Sequence, residues 1–134
     1  MQDNNRLRIA LFALRLGVFI VMAMWSLDKL LAPDHAAAVF ENFYFIPGIG
    51  AGLLAVIGLV QLTIEVAFVL GLWKFWTYGF VLVTHAISTI SSWQQYLDPF
   101  NHMLFLAAIP MLAACIALFM LRDADTLLTL GGRS

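Results

Sequence analysis

Arg15, Glu65 and His85 are the residues of this chain whose chemistry is hardest to place, because each stands inside a long apolar run. An ionisable side chain at membrane depth is costly and is kept for a role. It is expected to face a bundle interior or a polar cavity and to pair with another group. At about 1.5 Å of rise per helical residue, Arg15 lies about 12 Å past Leu7, Glu65 about 12 Å before Trp73, and His85 about 13 Å past Trp76. Three segments thus bring three ionisable groups to one level. A bidentate Arg15–Glu65 pair with His85 hydrogen-bonded beside it is the expected arrangement. Arg15 and His85 would donate to a ligand's carbonyl oxygen, and Glu65 would accept a proton. The same residues would serve as well as an ion pair that fixes helix register and a satisfied core histidine. The spacing leaves both readings open.

Other polar residues extend this group. Gln61 lies one turn before Glu65 and shares its face. Thr84, Ser88, Ser91 and Gln95 form a helical row, with Ser92 above His85, so a polar stripe climbs from His85 towards the opposite border. The expected pocket therefore comprises Arg15, Gln61, Glu65, His85 and Ser88, with Phe19, Phe68 or Trp25 as aromatic walls. A second group, Asp28, Lys29 and His102, marks an outer mouth, where long side chains near span ends reach water.

The elements that must position these residues are apolar helices. The chain has 134 residues, is 63% hydrophobic and 11% charged, and has a mean hydropathy of +0.92. Water-soluble domains carry about 25% charged residues, so this chain has too little polar surface to coat a water-facing globule. The expected class is an all-α, four-helix transmembrane bundle forming one domain. Its spans are residues 7–31, 48–73, 76–97 and 102–121, each near the ~20 residues that a helix needs to cross ~30 Å of hydrocarbon. Asp34 is placed to N-cap a short interfacial helix between the first and second spans. The first segment is too long for the apolar region of a cleaved signal peptide and is read as a retained span.

Arg6, Arg8, Lys74, Arg122 and Arg133 fall on one side, which the positive-inside rule makes cytoplasmic, with both termini there. The expected location is a bacterial-type inner membrane. Trp73, Trp76 and Tyr78 would form the inner aromatic belt, and Phe43, Tyr44, Trp93 and Tyr96 the outer one. A net charge of −1 excludes a strongly basic nucleic-acid binder. A single cysteine, Cys115, excludes an internal disulfide and is expected to be a small buried hydrophobe. Histidines His85 and His102 lie ~17 Å apart along the bundle by the same rise, too far for a bis-histidine haem. A haem on His85 alone is compatible with the sequence. Glu65 and His85 give too few ligands for a closed metal site, and no nucleotide-binding or nucleophile motif occurs.

Two stretches resemble the DoxX-like small membrane proteins. Leu14-Arg15-Leu16-Gly17-Val18-Phe19 followed by Trp25-Ser26-Leu27-Asp28-Lys29-Leu30 is similar to that family's first-helix pattern. Gly58 to Glu65 and Leu70-Gly71-Leu72-Trp73-Lys74 are similar to its second-helix pattern, whose polar or acidic position falls on Gln61 or Glu65. The resemblance covers about half of the chain. It implies a four-helix membrane bundle, and some of the wider group are subunits of a thiosulfate:quinone oxidoreductase. The first expectation is a small integral membrane subunit associated with an oxidoreductase and interacting with a quinone. It would sit in the lipid bilayer with other membrane subunits or as a homo-oligomer. The alternatives are a non-enzymatic scaffold subunit of a membrane complex, and a proton or small-solute path along His85, Ser88, Ser92 and Gln95.

Overall fold

The computed structural model describes residues 2–131 and is all-helical among them. Arg133, counted above towards membrane orientation, lies outside the described residues. Helix α1 (Gln2–Leu31) is followed by α2 (Pro33–Tyr44), α3 (Ala51–Val69), α4 (Lys74–Ser91), a short α5 (Trp93–Tyr96) and α6 (Ala108–Met120), with a 3₁₀ turn, Met103–Ala107, leading into α6. Residues 121–131 hook back along the bundle.

Among the described residues, three helical stretches are long and apolar enough to cross a membrane: Asn4–Leu31, Ala51–Val69 and Met103–Met120. Helix α4 is more polar, with Lys74, Thr77, His85 and Thr89 all buried along it. The helix bounds also depart from the expected spans. Pro47 and Gly48 lie outside α3, with Gly48 at φ 74°, and α3 starts only at Ala51. The expected third span breaks at Ser92, where α4 ends and α5 begins. Pro110 is tolerated as the third residue of α6 because the first N–H groups of a helix have no intrahelical partner. Helix α2 occurs as expected, but Asp34 does not cap it. The N-cap is Ala32, and Pro33 opens the first turn with its preset φ.

The burial pattern is inverted relative to a water-soluble protein. Arg15, Lys74 and Asp125 are fully buried and Glu65 is 1% exposed, while Ile20, Met24, Val56, Leu59, Val83, Ile87 and Ile116 lie open on the outside. Extensive outward-facing apolar surface around buried charges suits a protein solvated by lipid. The apolar core includes Leu11, Val18, Phe68, Val81, Cys115 and Leu118, drawn from α1, α3, α4 and α6. Cys115 is buried, as expected.

Two glycines set close approaches. At Gly58 an added Cβ would lie 2.8 Å from the Ser26 carbonyl oxygen and 3.0 Å from Lys29 Cβ, so α1 and α3 cross here with only a hydrogen between them. Gly58→Leu is expected to lower stability by about 1–3 kcal/mol or more through overpacking, read as a lower thermal midpoint in detergent. An unchanged midpoint would show that the two helices part freely. Gly71 sits at φ 73° after α3, where Leu72 N–H bonds Ala67 O (2.9 Å) and Gly71 N–H bonds Phe68 O (3.0 Å), a Schellman end. The hook closes over this turn, with Leu130 N–H donating to Leu70 O at 2.8 Å.

Candidate functional site: a buried ion knot and an apolar cavity

The structure divides the expected constellation into two sites. The first is a knot beside the Gly71 turn, at the end of the bundle where α4 begins. Arg15 Nη1 meets Asp125 Oδ1 at 2.5 Å, and Nη2 donates to Leu127 O, also at 2.5 Å. Tyr78 Oη donates to Asp125 Oδ2 at 2.6 Å, and Lys74 Nζ donates to Asp125 O at 2.6 Å. Arg8 Nε reaches Thr126 Oγ1 at 2.9 Å on the same hook. The knot therefore joins α1, α4 and the C-terminal hook through one carboxylate.

The expected Arg15–Glu65 pair is not formed. Helical Cβ atoms lean towards the helix N-terminus, and α1 and α3 run antiparallel. Arg15 therefore leans towards the start of α1 and Glu65 towards the start of α3, and the two helices cross with Gly58 against Ser26 and Lys29, a register that also sets the Arg15 and Glu65 Cα atoms at different levels. Tyr78, expected in the inner belt, is 1% exposed and packs edge-on against Phe68 with ring centroids 4.9 Å apart. Trp73 and Trp76 are exposed, as a belt requires. Lys74, counted among the inner basic residues, is buried in the knot instead.

The second site is a cavity of about 1130 Å³ that runs along α1 from Ala13 to Lys29. Its walls come from α1, α3, α4 and the start of α6, and α2 closes it from above. Glu65, Gln61, His85 and Ser88 all line it, so four of the five expected pocket residues share one space; Arg15 is not among its lining residues. Glu65 Oε1 accepts a hydrogen bond of 2.7 Å from Ser26 Oγ, a partner not anticipated. His85 Nε2 lies 3.0 Å from the carbonyl oxygen of Ala108. A carbonyl only accepts, so Nε2 carries the proton. Ser88 Oγ and Tyr44 Oη are 2.6 Å apart and tie α2 to α4.

The polar stripe on α4 is largely closed on itself. Thr84, Ser91 and Ser92 bond the carbonyls of Phe80 (2.8 Å), Ile87 (2.7 Å) and Ser88 (3.2 Å) in their own helix. Of the three expected aromatic walls, only Trp25 borders the cavity. Phe68 is in the core, and Phe19 packs against it.

The expected outer mouth separates as well. Asp28 and Lys29 border the cavity. Asp28 Oδ2 is 2.7 Å from His35 Nδ1, which joins the end of α1 to the start of α2. Lys29 Nζ lies 5.9 Å from the centre of the Phe40 ring on α2. His102 is not among the cavity's lining residues and packs edge-on to Phe105, with ring centroids 5.7 Å apart. Sequence reasoning also missed Asp125. The signal was an acidic residue just past an apolar helix in a chain with a buried arginine to balance. No family model, no curated protein and no solved structure matches the chain.

Proposed function

We propose that this chain is a small integral membrane subunit of the DoxX-like kind, crossing an inner membrane four times and holding a quinone for a partner oxidoreductase. In this reading α4 also crosses, as the third span in chain order, α2 lies on the outer surface, and both termini are cytoplasmic. The observation that carries the reading is the cavity: about 1130 Å³ in volume, mostly apolar, with Glu65, Gln61 and Ser88 placed at its wall. Small-molecule sites are concave, apolar and oriented by a few polar groups, and a quinone has an apolar tail and a polar head of that form. Leu14, Gly17 and Val21 on α1 and Leu104 and Ala107 before α6 all line the cavity. With α2 closing the outer end, a ligand enters between these walls from the bilayer.

Arg15 plays no part in this scheme, because its guanidinium is spent on Asp125 and the hook. Hydrogen-bond donors to a quinone carbonyl are instead the Gln61 amide and the Tyr44–Ser88 hydroxyl pair. A haem on His85 would first have to displace Nε2 from Ala108 O. A proton path along α4 is disfavoured because the Thr84, Ser91 and Ser92 hydroxyls serve their own helix rather than one another.

Native purification in mild detergent tests the reading. A bound quinone and a stoichiometric redox partner are expected, and added short-tailed quinone should quench the fluorescence of Trp25 in the cavity wall. A preparation free of quinone, without a redox partner and with no quenching would overturn it.

A further inference from the structure

We infer that the cavity holds the reduced form of its ligand, a quinol, in preference to the quinone, with a ring hydroxyl donating to Glu65 Oε2. This rests on the quinone reading above and deepens it by naming the redox form that the site selects.

The argument is a count of donors and acceptors at the cavity's buried polar groups. Glu65 is 1% exposed and borders the cavity. Its Oε1 takes the Ser26 hydroxyl proton at 2.7 Å, and its Oε2 has no hydrogen-bond partner among the described residues. His85 is 8% exposed and also borders the cavity. Its Nε2–H is committed to Ala108 O at 3.0 Å, so in the neutral ring Nδ1 presents a lone pair. The Thr84 hydroxyl, on the same wall, is spent on Phe80 O at 2.8 Å. The Ser26 and Thr84 hydroxyls and the His85 Nε2–H are therefore used within the protein; Glu65 Oε2 and the imidazole lone pair are left as acceptors, and the Gln61 amide and the Lys29 ammonium are the donors left on the wall.

A quinone head carries acceptors only. Set against the ionised Glu65 carboxylate it would place lone pair against lone pair, whereas a hydroxyl there makes a charge-assisted hydrogen bond. A quinol carries two hydroxyls, each of which donates and accepts. One satisfies Oε2, and the other suits Gln61 or the Tyr44–Ser88 pair, which turn either way. The two forms share one tail, so the apolar walls do not distinguish them and the head alone does.

The test is a paired titration of the full chain in nanodiscs under anaerobic conditions, with a one-isoprene ubiquinone and its chemically reduced quinol, read by tryptophan quenching. The quinol is expected to bind at least about 10-fold tighter, which raises the potential of the bound two-electron couple by about 30 mV. Glu65→Gln, whose amide can both accept from Ser26 and donate to a carbonyl, should bring the ratio close to one. Equal or tighter quinone binding by the wild-type protein would overturn the inference while leaving the quinone reading intact. A quinol preference that survives in Glu65→Gln would overturn the role of Glu65. Binding of neither form would overturn the quinone reading itself. If Glu65→Gln does not fold, the wild-type ratio decides alone.

Discussion

Asp125→Ala will destabilise the protein by about 3–5 kcal/mol, the range for removing one partner of a buried ion pair. Asp125 is fully buried, and so are Arg15 and Lys74. Its carboxylate is the acceptor for Arg15 Nη1 and for Tyr78 Oη. Alanine would leave a guanidinium and a phenol without their partner in a core from which water is excluded, and would loosen the hook that supplies Leu127 O to Arg15 and Asp125 O to Lys74. A large fall in thermal midpoint is expected in detergent, with loss of the packed state at moderate temperature. The combined change Arg15→Met, Lys74→Met, Tyr78→Phe and Asp125→Leu should recover most of that loss, because replacing a whole buried polar group with apolar side chains of similar volume is often neutral or stabilising. A single Asp125→Ala variant that melts like the wild-type protein would show that the knot does not hold the bundle.

Gly17→Phe should abolish ligand binding without unfolding the protein. Gly17 lies on the cavity wall, and a Cβ added there meets no atom within 4 Å. The site is a helix interior, where glycine is itself unfavourable by about 1 kcal/mol relative to alanine. The new side chain therefore replaces a weak helix former and finds open space, and that space is the mouth through which the ligand is proposed to enter. A loss of at least about 100-fold in quinone or quinol affinity, equivalent to about 2.7 kcal/mol, is expected with an unchanged melting midpoint. Retained affinity would place the ligand elsewhere. Gly58→Leu offers the contrast. It sits on the α1–α3 contact rather than on the cavity, and should cost stability.

Much of the fold was legible in the residues, and the reasons are local. The apolar content and the long hydrophobic runs require helices in lipid, because an unpaired backbone group there has no water to bond. The short helix after α1 was legible as an interfacial segment starting near Asp34, although Pro33 rather than an Asp34 cap opens it. Gln61, Glu65, His85 and Ser88 were legible as a group because polar residues at helical spacing in apolar segments must share an interior. Cys115 was legible as a buried hydrophobe for the same reason.

Partner choice was not legible. A residue count from the span borders fixes neither the register of two packed helices nor which way a side chain leans. In the antiparallel pair α1 and α3, Gly58 packs against Ser26 and Lys29, so Arg15 and Glu65 stand at different levels and also lean apart. Glu65 then finds Ser26, 39 residues away, and Arg15 finds Asp125, 110 residues away. The same limit explains Tyr78, whose place beside Trp76 suggested an interface but whose hydroxyl is drawn inward by Asp125. Composition and periodicity thus determined an all-helical protein with membrane-length apolar segments and a polar interior. Only the tertiary structure decided that this interior is two sites, since the hook returns to the bundle through the Asp125 carboxylate and backbone carbonyls distant in sequence from their partners, which no local pattern announces.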